Sequence, residues 1–149
     1  MNIRKLILGA VAVIAGSVTL SATSAAADRP WTEGTVSNIS SIRTAPGKFD
    51  DYMAFLAKTY KPLMEAQKAA GNIVDYRIYT AMPRSPDDPD VFLVVTYKNM
   101  AALDGLRDRM EPIQEKLQGD AATRQAAMIA RGSMRTQLGT EMVRQLVLK

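Results

Sequence analysis

The sequence predicts an α+β fold: a four-stranded antiparallel sheet with its main helices on one face. Three observations predict it. Hydrophobic spacing switches along the chain between a two-residue and a three-to-four-residue period, in the order β-α-β-β-α-(α)-β. The stretch Ile73 to Asn99 reads as two strands around a loop rich in Pro and Asp. Two β-α-β halves with right-handed crossovers then put strands one and three at the centre of one sheet.

Of the 149 residues, positions 1–27 are expected to be a signal peptide and not part of that domain. Arg4 and Lys5 form a short positive segment, Leu6 to Leu20 an apolar one, and Ala25 and Ala27 stand at −3 and −1 of a cleavage point before Asp28. The alternative is an uncleaved anchor, but about 15 apolar residues fall short of the roughly 20 a spanning helix needs. The sequence therefore points to a periplasmic or secreted protein with no stable membrane insertion after cleavage. Residues 28–34 read as a leader and 35–149 as the domain. Cleavage takes Arg4 and Lys5 with it, so the formal charge falls from +4 to +2. Charge this small and this interspersed gives no nucleic-acid footprint.

The chain has no His and no Cys. That excludes a His general base, Cys or Ser-His nucleophile systems, His/Cys zinc sites and His-ligated haem. No cofactor and no metal is expected. Without disulfides, core burial alone must hold the fold.

Thr35 to Thr44 reads as the first strand, closed by Ala45-Pro46-Gly47, with Ser37, Asn38, Ser40 and Ser41 spread over both faces. A first helix is predicted over Lys48 to Ala70, its apolar stripe running Phe49, Tyr52, Met53, Leu56, Tyr60, Leu63 and Met64. Pro62 should kink or restart it near Tyr60, and Gly71-Asn72 should stop it. Strand two is Ile73 to Thr80 and strand three Val91 to Tyr97. Asn99 can cap a second helix carrying Met100, Leu103, Leu106, Met110, Ile113 and Leu117. Pro112 is expected to interrupt it as Pro62 does the first, and an offset of fifty residues aligns the two helices as a weak repeat. A third helix is read over Gly119 to Leu138, irregular near Gly132-Ser133, and a last strand over Thr140 to Leu148.

Strand three is apolar on both sides, with Val91, Leu93, Val95 and Tyr97 on one and Phe92 and Val94 on the other. Helices can cover only one face, so the other would meet water as a large apolar patch. A homodimer packing sheet to sheet is the simplest remedy.

Three segments carry a family resemblance: Ala45-Pro46-Gly47-Lys48-Phe49 before the first helix, the strand Val74 to Tyr79, and Val94-Val95-Thr96-Tyr97-Lys98-Asn99-Met100 leading into the second helix. With these the chain resembles the dimeric α/β-barrel superfamily of ferredoxin-like domains, closest to NIPSNAP-like and small exported members. The resemblance covers Thr35 to Lys149. It implies a sheet-to-sheet homodimer and admits cofactor-free oxygenases, haem-degrading enzymes and isomerases. The His that many of those enzymes use has no counterpart here.

Candidate ligand-binding residues are Asn38, Ser40, Tyr60, Tyr76, Arg77 and Tyr97; no catalytic residue is named. Buried Asn38 or Ser40 on a central strand needs a partner, from a ligand, from water or from a cross-strand hydrogen bond. The tyrosines offer apolar bodies with polar tips, or are simply core. Arg77 can bind an anion or make a cross-strand or intersubunit ion pair with Asp75. The carboxylates of Asp87, Asp88 and Asp90 do not have EF-hand spacing and read as a solvated loop. Arg124, Arg131 and Arg135 read as a solvated helix face or an intersubunit contact. The functional expectation is a protein that binds a small apolar or aromatic molecule between sheet and helices. The alternatives are a cofactor-independent oxygenase or isomerase on a phenolic or enolisable substrate, and a structural partner of another envelope protein.

Overall fold

A computed structural model describes residues 29–149. The signal-peptide expectation lies outside the described residues. Ten elements follow in order. They are β1 (Trp31–Thr44), α1 (Phe49–Phe55), a π-turn (Leu56–Tyr60), α2 (Lys61–Ala69), β2 (Asp75–Thr80), β3 (Val91–Tyr97), a 3-10 turn (Met100–Leu103), α3 (Leu106–Gln118), α4 (Ala121–Arg131) and β4 (Arg135–Leu148). The strands form one antiparallel sheet in the order β2-β3-β1-β4. Strands one and three are thus central, as the topology argument requires.

The register decides which residues face the helices. Val36, Asn38, Ser40 and Ile42 of β1 lie opposite Tyr97, Val95, Leu93 and Val91 of β3. Val36, Ile42, Val91 and Tyr97 are buried, which marks this as the covered side. One core cluster gathers Ile42, Val91, Tyr52 and Leu56. A second gathers Leu63, Met64, Ile73 and Tyr97, with Leu106 and Ile113 of α3 against it. Tyr60 packs against both. The first helix's stripe is therefore core from Tyr52 to Met64, while Phe49 at its start is exposed.

Pro62 acts as expected, through a particular device. It has no N–H to give and its ring crowds the carbonyl one turn back. The chain answers by widening into the π-turn and restarting, with Pro62 in the first turn of α2, where the missing donor costs nothing. Pro112 behaves differently. It sits inside a continuous α3, and the break expected there falls earlier, at Asp104-Gly105. Gly105 has φ +61, a left-handed conformation that separates the Asn99-capped 3-10 turn from α3. Arg109 braces that break by donating to the carbonyls of Asp104 and Ala102 at 2.5 and 2.6 Å. The two halves are alike in stripe and unlike in where they bend.

Two further boundaries differ from expectation. β1 begins at Trp31, so the end of the expected leader is already sheet, paired with Leu148. The expected third helix stops at Arg131, and Arg135 to Gly139 belong to β4. Their backbone pairs with Thr44 to Ser41, with an irregularity between Ser41 and Ile42 that absorbs one extra residue of β4. Sheet pairing has overridden a locally helical pattern.

The uncovered face carries Ile39, Val94 and Phe92 at its centre. In one cross-strand row Arg77, Val94, Ile39 and Glu141 lie side by side; in the next, Tyr79, Phe92 and Ser41 do. Edge strand β4 is exposed along nearly all its length, including Met142, Val143, Leu146, Val147 and Leu148. Among the described residues no helix is long and apolar enough to cross a membrane.

Candidate functional site

A cleft of about 680 Å³ opens within the helix layer. One wall is the stretch Phe55 to Leu63, where the π-turn displaces Thr59 and Tyr60 from regular helical positions. The second is α3, with Arg107, Met110, Glu111 and Gln114. The third is α4, with Arg124, Ala127, Met128 and Arg131. Helix α4 exists as a separate wall because Gly119 turns the chain at φ +84 and Asp120 then caps a new helix by accepting from the Thr123 N–H at 2.8 Å. Hydrogen bonding from the Thr123 side chain, and then from its backbone N–H, holds the Asp120 carboxyl below its ordinary range.

The cleft is amphipathic and positively charged. Arg124 is tied down by an ion pair with Glu111 and a 2.8 Å hydrogen bond to the Gly119 carbonyl. Arg131 lies over the Phe55 ring at 5.2 Å, a cation–π contact, and its Nε is buried without a hydrogen-bond partner. Burial and the neighbouring Arg135 both weaken its hold on its proton. Tyr60 contributes a phenol whose pKa is raised far above its ordinary value, first by burial and then by Tyr52, Tyr97 and Tyr76 around it. Such a phenol stays protonated and can donate a hydrogen bond; it cannot serve as a base at neutral pH.

Of the six candidate residues, the structure brings Tyr60, Tyr76 and Tyr97 together at the second core cluster, between sheet and helices. Only Tyr60 reaches the cleft. Tyr97 is buried in the second core cluster. Tyr76 meets Tyr60 edge-on at 6.0 Å and donates to Glu65 at 2.7 Å. Loss of hydration and the Glu65 carboxylate push its pKa up to about 12. Arg77 sits on the open sheet face and pairs with Asp75 of its own strand at 2.9 Å, where a cross-strand or intersubunit pair was expected. Two residues apart on one strand face, the groups are already within reach. Lys68 shares that carboxylate at 3.0 Å, and its hydrogen bond keeps Asp75 below its ordinary pKa.

Asn38 and Ser40 lie on the helix-facing side of β1. The polar run divides between the two expectations. Ser37 is satisfied across the strands by Thr96 at 3.0 Å, whereas Asn38 Oδ1 is buried with no hydrogen-bond partner among the described residues.

The acidic loop is engaged in structural contacts. Asp87 pairs with Arg43 at 2.8 Å, Asp88 accepts from the backbone N–H groups of Arg84 and Ser85, and Asp90 binds the backbone and hydroxyl of Thr44. In a second opening, beside Lys98 and Met100, Arg144 pairs with Glu33 at 2.6 Å.

Sequence reasoning missed Arg107, Met110 and Phe55 as cleft residues and read Arg131 as part of a solvated face or an intersubunit contact. The usable signal was Arg124, Met128 and Arg131, which share one face of a helix. Arg135 is not on that face; it belongs to β4 and lies over Tyr52 at 5.9 Å.

Sheet order and crossovers define a ferredoxin-like α+β subunit, here with a ligand-sized cleft in its helix layer. Among solved structures the chain is similar to HapK from Hahella chejuensis, with 13% identity over 74% of this chain and 91% of that one and a TM-score of 0.48. It is also similar to protein SO0527 from Shewanella oneidensis, with 16% identity, coverage of 78% and 96%, and a TM-score of 0.48. A dimeric ferredoxin-like protein from an uncultured marine organism gives 12%, 79% and 98%, and 0.49. No protein-family model matches the chain, and no curated protein sequence does.

Proposed function

We propose that this protein is an exported homodimer that binds a small apolar or aromatic molecule, and that the molecule sits in the helix-layer cleft. The observation that carries the reading is the cleft itself. Its volume of about 680 Å³ falls in the range of small-molecule sites, roughly 300–1,000 Å³. Its walls set Phe55, Leu63, Met110 and Met128 beside polar groups that include Thr59, Tyr60, Gln114, Gln125 and three arginines. Dimerisation through the open sheet face leaves this cleft untouched, because the two lie on opposite sides of the sheet. Export rests on the sequence from Asn2 to Ala27, and kinship with NIPSNAP-like proteins rests on the resemblance alone.

The catalytic alternative has one group in its favour, Tyr60, which can donate to an oxyanion. A base to abstract the first proton is harder to place, since burial holds the phenol protonated. Binding is the better reading.

The test uses N-phenyl-1-naphthylamine, a neutral dye that fluoresces in apolar surroundings. The wild-type protein should bind it with micromolar affinity. Ala127→Trp, which places an indole in the cleft from the α4 wall, should weaken binding at least tenfold without loss of helical circular dichroism. Dye binding unaffected by Ala127→Trp would refute the location.

A further inference from the structure

We propose that the cleft selects anions, and that its preferred ligand is a small aromatic or branched aliphatic carboxylate whose head group is held by Arg131, with Arg107 beside the same opening. This rests on the cleft being a binding site and names the class of molecule it takes.

The cleft's charges are unbalanced in a specific way. Arg124 is neutralised by Glu111. Among the described residues neither Arg131 nor Arg107 has a carboxylate at ion-pair distance. A guanidinium on the surface needs no counterion, because water solvates it. Arg131 is different: it is half-buried, its Nε reaches neither protein nor solvent, and a second guanidinium, Arg135, stands close enough to repel it. Two like charges in a partly dry place are costly unless an anion joins them.

Arg131 Cζ stands 5.2 Å from the Phe55 ring centroid, and its fork of N–H donors joins Gln114, Gln118, Arg124 and Gln125 among the polar groups lining the cleft. A planar fork matches a carboxylate in bidentate fashion. Phe55, Leu63, Met110 and Met128 give the cleft an apolar side against which a hydrocarbon body can lie. Met110 and Met128 are flexible, polarisable side chains that adapt to an irregular apolar group, and Tyr60 can donate one further hydrogen bond. Arg131 as simple cover for Phe55 would account for the cation–π contact. It would not account for an unpartnered Nε beside a second cation.

The experiment compares 2-naphthoate with 2-naphthamide, which share a ring system and differ in charge, by their displacement of N-phenyl-1-naphthylamine. Wild-type protein should be displaced by the acid at a concentration at least tenfold lower than by the amide, the scale of one charge-assisted pair. Arg131→Met should reduce that ratio to near one, with folding checked by circular dichroism, and Arg131→Lys should restore part of it. Arg107→Gln should lower it severalfold. Equal displacement by acid and amide in the wild type would overturn the proposal, as would a preference that survives Arg131→Met. Either result with the dye still bound leaves the neutral binding reading in place. A wild-type protein that fails to bind the dye removes that reading, and this one with it.

Discussion

Replacing Gln67 with Ala is expected to lower the stability of the fold by about 3–4 kcal/mol, the combined scale of a buried cavity and lost hydrogen bonds. For a domain of this size that shifts the melting temperature down by roughly 10 °C. Gln67 is completely buried. It donates to the Met110 carbonyl at 3.1 Å and accepts from Asn72 Nδ2 at 2.7 Å. Asn72 in turn reaches the Arg109 carbonyl at 3.3 Å.

The geometry depends on how α2 ends. Gly71, at φ +75, donates to Lys68 O, and Asn72 donates to Gln67 O. This pair of bonds is a Schellman closure, and it turns Asn72 back under its own helix. The carbonyls it meets are those just before Pro112, where a proline pushes the preceding turn of helix outward. The network thus joins the end of α2 to the middle of α3 and keeps the helix layer in register. Gln67→Leu keeps the volume and loses only the polar bonds, so it should cost about 1–2 kcal/mol. Thermal melts of the two variants check both values. An Ala variant within 1 kcal/mol of wild type would mean that the network contributes nothing.

Val94→Glu should convert the proposed dimer to a monomer at micromolar concentration. Val94 lies at the centre of the open face, between Ile39 and Arg77 in its row. In a symmetric dimer the substitution buries two carboxylates, each costing on the order of 3–5 kcal/mol when unpaired. Association should therefore weaken by several powers of ten. The monomer itself should remain folded, because this position is only partly covered within the subunit. Light scattering coupled to size exclusion reads the mass directly. A Val94→Glu protein that stays dimeric would place the interface elsewhere.

The sequence makes some of these features visible and hides others for definite reasons. Strand β3 is legible to the residue because it is apolar on both faces and bounded by Asp90 and Asn99. Its neighbour β4 is half hidden. Met134 and Leu138 continue the helical spacing of Ala127 and Ala130, and only backbone pairing with Thr44 to Ser41 makes that stretch a strand. Pro62 and Pro112 look alike in sequence. Whether a proline starts a helix or merely bends one depends on which carbonyls are taken up by neighbours, and those neighbours are distant.

The site is less legible than the fold. Tyr60 is found because an amphipathic tyrosine beside Pro62 stands out. Arg131 is missed because a cationic residue on a helix face has the same spacing whether it faces water or a cleft. The cleft itself is made where three segments meet, and no local pattern encodes that meeting. Gln67 is hidden for a similar reason, since its partners include a backbone carbonyl of another helix.

Native mass spectrometry of the mature protein, recovered from its own source without denaturation, tests the central claim most directly. Assembly and occupancy are read in one spectrum. The expected result is a species of twice the mature chain mass carrying a small-molecule adduct on each subunit, released under collisional activation. A monomer, or a dimer that stays bare in every preparation, would contradict the account.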